Sequence, residues 1–128
     1  IRDRDVTAAY DPNFAEVYEK RNASYLNYGI GLCKYTGARG KSGASDASAE
    51  VVGYVRRVFA DNGVIWQLAE LGKTDQGGGG TVACYMANRN IDTIDAGVPV
   101  LSMHAPFEVV SKIDVYMAYR AFYEFFKD

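Results

Sequence analysis

The sequence predicts an α/β domain, a mixed β-sheet flanked by helices. Two observations predict it. Apolar residues alternate between strand-like and helix-like spacing along the chain, in the order strand, helix, strand, helix, strand, strand, helix. The 128 residues, 48% apolar and 23% charged, are enough for one domain with a real core, too few for two, and too apolar for disorder.

Residues 5–27 have mixed polarity and the turn signal Asp11-Pro12-Asn13, and read as a loop with one short helix. Tyr28 to Tyr35 reads as the first strand. Within it Gly29 and Gly31 alternate with Ile30 and Leu32, leaving one face nearly bare for close approach by a helix or a ligand. Thr36 to Ser45 is glycine-rich and polar, and reads as a loop. A helix is expected from about Asp46 to Asp61, capped by Ser45 or Asp46. Its inward face would be Val51, Val55, Val58 and Phe59, and Asn62-Gly63 supplies a left-handed stop. Val64 to Leu71 reads as a second strand, rich in β-branched and aromatic residues at its start. The glycines 77–80 lead into a short helix, roughly Thr81 to Asn88. Ile91–Ile94 and Val98–Met103 read as the third and fourth strands. The last helix, from about Phe107 to Phe126, repeats Val110, Ile113, Met117, Ala121 and Phe125 at helical spacing.

Several function classes recede on composition. A net charge of −2 with no basic cluster argues against a nucleic-acid surface, since phosphate binding is dominated by Lys and Arg. Arg56-Arg57, the densest basic pair, falls on the solvated face of a helix. No apolar stretch approaches a membrane span, and no signal peptide opens the chain. Cys33 and Cys84 have no metal-like spacing and read as two reduced thiols of a cytoplasmic protein. The start at Ile1, without an initiator Met, suggests a beginning inside a longer protein.

Ligand sites in open α/β sheets lie in the crevice outside the carboxyl ends of the strands. Three loops here could reach it: after Tyr35, after Leu71, and around His104. His104 is the sole histidine; a lone histidine is more often structural than a ligand. Placed before a helix that Pro106 could start, it would be kept neutral and able to bind metal. Asp5 belongs to a charge run that alone reads as solvated surface, and Asp11 reads as a turn residue. The glycine run lacks the Lys-Ser or Lys-Thr of a phosphate loop, yet its backbone could approach something closely. Anion or carboxylate binding and a merely tight turn stay equally open there. Lys34 either snorkels to solvent or presents a fixed positive charge to a substrate carbonyl or carboxylate.

These signals form one pattern beside a known family. Gly97-Val98-Pro99-Val100-Leu101-Ser102-Met103-His104-Ala105-Pro106-Phe107-Glu108 resembles the closing metal-ligand segment of the M18 zinc aminopeptidases. Asp5-Val6-Thr7-Ala8-Ala9 with Asp11-Pro12-Asn13 resembles that family's earlier segment, where an aspartate ligates zinc. Lys34 to Lys41 and Gly72 to Thr81 resemble segments of its bacterial branch, and the likeness runs nearly the full chain in family order. By position the resemblance implies that Asp5 and His104 are terminal ligands to the two zincs of a co-catalytic site, which manganese or cobalt could replace. It implies that Lys34, Gly79, Gly80 and Met103 line the substrate site. Ala105 departs from the family, standing where Ser is common.

The family's first histidine, bridging aspartate and paired glutamates, one of them the general base, lie upstream of these segments, as does its dimerisation domain. The resemblance therefore implies a C-terminal part of a catalytic domain, inactive alone, from a cytoplasmic peptide-cleaving enzyme that self-associates as a dodecamer. The competing reading is a non-catalytic anion- or carboxylate-binding module built on Gly77–Gly80.

Overall fold

The structure, a computed structural model, describes residues 2–38, 42–73, 76, 78 and 81–128, without the side chains of residues 2–5, 38 and 42. In chain order the elements are β1 (Arg2–Ala8), a 3-10 turn (Pro12–Val17), β2 (Ile30–Cys33), β3 (Tyr35–Ala38), β4 (Ser42–Asp46) and α1 (Ala49–Asp61). There follow β5 (Trp66–Leu68), α2 (Ala83–Ala87), β6 (Ile94–Leu101), β7 (Val109–Val110) and α3 (Lys112–Lys127). The main sheet has the order β1-β6-β2-β5, with β7 folded back on the end of β6. β1 runs parallel to β6, from Arg2 opposite Ile94 to Ala8 opposite Val100. β2 runs antiparallel to β6 and parallel to β5. The sheet is mixed, as the sequence predicts.

One face carries the core. Ile30, Leu32, Ile94 and Ala96 point to it and join Val55, Val58 and Phe59 of α1 and Ala118 and Ala121 of α3 in one buried cluster. Each such large apolar side chain contributes about 1.5–3 kcal/mol by leaving water. Alanines on the inward face of α3 let that helix approach the strands closely. α1 starts where Ser48 caps it, its Oγ accepting from the Val51 amide at 3.3 Å, because Ser45 and Asp46 are used in β4. It ends at Asn62-Gly63, with Gly63 at φ 63°.

Four elements differ from the expectation. Arg2–Ala8 is a strand although its alternating charges disguise it; pairing along β6 outweighs local composition. Thr36–Ser45 contributes a two-stranded ladder, β3 against β4, rather than a loop. The two strands expected over Ile91–Ile94 and Val98–Met103 merge into one, β6 (Ile94–Leu101), in which Ala96 and Gly97 are weak strand formers held by ladders on both sides, while residues 91–93 and 102–103 lie outside it. The last helix starts only at Lys112, so Val110 sits in β7, and both it and Ile113 are exposed.

The inward face of α3 includes a carboxylate that periodicity does not reveal. Asp114, fully buried, accepts from the amides of Asn27 at 2.7 Å and Gly29 at 2.8 Å. From the other side Gln67 of β5 accepts from the Tyr25 amide at 2.8 Å and donates to the carbonyls of Tyr25 at 2.9 Å and Gly29 at 3.0 Å. Gly29 is left-handed at φ 91°, and a Cβ there would lie 2.2 Å from the Ile65 carbonyl oxygen. The bare face at Gly31 is likewise filled by neighbours, the Thr7 methyl and the Ala69 Cβ, rather than by a helix or a ligand. Among the described residues no helix is long and apolar enough to cross a membrane.

Candidate functional site

The antiparallel run of β2 against β6 divides the expected site between two ends of the sheet. The carboxyl ends of β1 and β6 lie with the amino end of β2; the carboxyl ends of β2 and β5 lie at the other end. The loops after Tyr35 and Leu71 therefore do not share a crevice edge with His104, a correction to the sequence expectation. Its cause is that the sheet is not uniformly parallel.

At the first end, β6 runs into a turn closed by the Ala105 amide donating to the Ser102 carbonyl at 2.9 Å. Ser102 and His104 are both left-handed, at φ 58° and 68°. Such conformations are uncommon for residues other than glycine and gather at functional sites. The imidazole is exposed, and the His104 amide donates to Glu108 Oε1 at 2.6 Å. The histidine thus sits in a turn followed by β7, not at a helix N-terminus as expected. Asp5 lies inside the β1–β6 ladder, opposite Gly97, which in turn pairs with Gly31. That cross-strand row continues from Gly31 to Gln67 of β5, so two glycines stand between Asp5 and Gln67. The ladder thus brings Asp5 and His104 to one strand pair, with Asp5 within it and His104 beyond its end.

Met103, between the two left-handed residues, borders a cleft of about 310 Å³ walled by Ala8, Val100, Phe14, Val17 and Tyr18, with Ser102 and Asp11 completing the lining. The cleft exists because Pro12 starts a 3-10 turn directly after β1, whose N-cap Asp11 accepts from the Asn13 amide at 2.9 Å. The turn has no buried residue, so Phe14 and Val17 stay exposed at the rim. Tyr10 touches Tyr18 and Tyr25, at ring centroid distances of 5.3 and 5.2 Å, and Tyr28 follows Tyr25 at 5.9 Å. Burial, and then the Asp11 carboxylate, push the Tyr18 hydroxyl upward, so it stays neutral.

At the second end, the Lys34 ammonium donates to Asp46 Oδ1, and the Ala47 amide donates to the Lys34 carbonyl at 2.8 Å. Glu70, just after β5, is half-buried; burial, helped by Asp46 and opposed by Lys34, pushes its carboxyl up to about 7. Gly78 is left-handed, and a Cβ there would lie 2.3 Å from the Gly37 carbonyl oxygen. At this position what the glycine run approaches closely is strand β3. Gly79 and Gly80 lie outside the described residues. Thr81 is buried and its hydroxyl accepts from the Ala83 amide at 3.3 Å.

Phe14, Tyr18 and Glu70 are the site neighbours that sequence reasoning passes over. Only Phe14, beside the Asp11-Pro12-Asn13 turn, carries a local signal.

Comparison with known proteins decides the family. The profile of the Aminopeptidase I zinc metalloprotease family (M18) matches residues 3–126. The chain belongs to the M18 family. It is 52% identical over 124 residues to the probable M18 family aminopeptidase 1 of Borreliella afzelii (strain PKo), covering 97% of this chain and 27% of that protein. To the protein of the same description from Thermotoga maritima it is 53% identical over 123 residues, covering 94% of this chain and 27% of that one. The crystal structure of aminopeptidase I from Clostridium acetobutylicum superposes with a TM-score of 0.91 at 50% identity, over 97% of this chain and 27% of that one. The chain thus spans about a quarter of the length of these relatives.

The family is described as a zinc metalloprotease, and carboxylate oxygen and imidazole nitrogen are zinc donors. Among the described residues no group of three or more His, Cys, Asp or Glu could hold a metal ion. Asp5 and His104 are of the residue types whose donors suit zinc.

Proposed function

We propose that the chain is the C-terminal part of the catalytic domain of a zinc-dependent aminopeptidase, to which it contributes Asp5 and His104 as terminal ligands of a two-metal site. The observation that carries this reading is the left-handed His104 in an exposed turn, inside the segment that matches the family. When bound, zinc polarises the scissile carbonyl and activates a water. The chain's own residues do the positioning. The ladder fixes Asp5, the hydrogen bond to Glu108 holds the His104 backbone in its turn, and Met103 walls the place of the substrate's N-terminal residue. The general base and the remaining ligands would come from the rest of the longer protein, so the isolated chain is inactive. Manganese or cobalt could fill the same donors. The full-length enzyme would be cytoplasmic, act on peptides and self-associate as a dodecamer.

Of the other substrate-side residues the resemblance implies, Gly79 and Gly80 lie outside the described residues. Lys34, at the far end of β6 and bonded to Asp46, is given no contact with the N-terminal residue.

In the full-length enzyme, His104→Ala is expected to lower zinc content and nearly abolish release of N-terminal residues. Metal analysis and a chromogenic aminoacyl-anilide assay read both. Wild-type values of both would remove His104 from the ligand set.

A further inference from the structure

Resting on the aminopeptidase reading, we propose that Asp114 is a positioning residue for His104: it locks β7 to the start of β2 and so holds the turn that carries the imidazole. Topology gives the first part of the case. β1 takes one edge of β6, while β2, over Asp95–Gly97, and β7, at Val100 and Leu101, lie end to end on the other. Continuing either ladder would bring Gly29 or Ser111 opposite Pro99. There the ladder fails. Val100 turns its carbonyl to β1, where it accepts from the Ala9 amide at 2.9 Å, so Pro99 faces the opposite edge and has no N–H to offer it.

Side chains close the gap. The Asp114 carboxylate accepts from the amides of Asn27 at 2.7 Å and Gly29 at 2.8 Å, and the Ser111 hydroxyl donates to Asn27 Oδ1 at 3.3 Å. These bonds tie the first turn of α3, which follows β7 directly, to the residues that lead into β2. Asn27 and Gly29 are both left-handed, at φ 71° and 91°, and both amides converge on the one carboxylate. The second part of the case is the want of another anchor. β7 has two residues, both exposed, and among the described residues from 102 to 117 Asp114 alone is buried. This chain buries it completely, so the contact does not depend on what covers the remaining surface. His104 lies in the connection between Leu101 and its partner Val109, so the seat of β7 decides where that connection closes. A metal ligand is only as well placed as the groups that orient it.

The test uses the full-length enzyme carrying Asp114→Ala, Asp114→Asn or, as control, Val58→Ala, which loosens the core under α1 instead. All are read well below their unfolding midpoints. In metal-free protein, Asp114→Ala should quicken amide exchange across residues 101–110 by about tenfold. Zinc held against a competing chelator should weaken by about tenfold. With zinc saturating, kcat on leucine p-nitroanilide should fall about tenfold while KM stays within about twofold, because the substrate's own contacts are untouched. Asp114→Asn keeps one acceptor oxygen and should recover part of each loss, and Val58→Ala should stay within about twofold of wild type throughout. Losses in Asp114→Ala no greater than those in Val58→Ala would overturn the lock while leaving the aminopeptidase intact. Should Asp114→Ala fail to fold, Asp114→Asn is read against Val58→Ala by the same rule. Wild type that neither retains zinc nor cleaves the anilide would instead strike the aminopeptidase reading, and the lock with it.

Discussion

The two ends of the central sheet are built differently. At the His104 end, hydrogen bonds to the main chain fix the scaffold: Asp114, which is buried, and Gln67 hold the 25–29 loop through five bonds, while the neighbouring turn and cleft stay open. At the Lys34 end, half-exposed charges meet: Lys34 on Asp46, with Glu70 close enough to feel both. The contrast teaches where each kind of interaction is useful. Several bonds converging on one stretch of main chain set its geometry with little dependence on salt. Exposed ion pairs are worth little, and here they fasten a hairpin.

Breaking the strong end should produce the largest effect. Asp114→Ala removes the acceptor of the part-buried Asn27 bond and of the buried Gly29 bond and should destabilise the full-length protein by about 3 kcal/mol, read by chemical denaturation. A loss under about 1 kcal/mol would show that water replaces the carboxylate and that the loop is not pinned.

The charged end should give a smaller effect that depends on pH. Folding raises the Glu70 pKa from 4.5 to about 7, so the folded state holds this proton more tightly than the unfolded chain. Its contribution to stability is complete below about 4.5 and is lost as pH rises through about 7. Glu70→Gln should flatten that decline in denaturation midpoints measured across the interval. An unchanged slope would place the titrating group elsewhere.

The smallest effect sharpens the contrast inside the His104 end itself. Glu108→Ala removes one exposed acceptor from the His104 amide and should cost about 0.5 kcal/mol of stability or less. Turnover should fall severalfold nonetheless, because the turn that presents the imidazole loosens. Turnover that tracked stability alone would deny the turn a positioning role.

Much of this was legible in the residues. Val55, Val58 and Phe59 announce α1, and Ile30 and Leu32 announce the core strand, because burial on one face imposes spacing on a sequence. Asp5 and His104 are singled out by family order rather than physics, since one sits in a charge run and the other stands alone. β1 stayed hidden because its pairing energy comes from β6, a strand far along the chain. The division of the site stayed hidden for a related reason: strand direction is not written in strand composition, so nothing in Tyr28–Tyr35 says that β2 opposes β6. Asp114 stayed hidden because its partners are main-chain amides, which leave no signature in side-chain pattern.

The parallel pairing of the first and sixth strands also bears on how the molecule comes together. Contacts between distant stretches of chain form late and slowly, since the entropy of closing the intervening loop is lost before the ladder repays it. The β3–β4 ladder and each helix, by contrast, form from nearby segments. The seam that joins residues 2–8 to residues 94–100 is a contact between distant stretches, so the edge of the sheet that β1 forms is among the last parts of the fold to be completed.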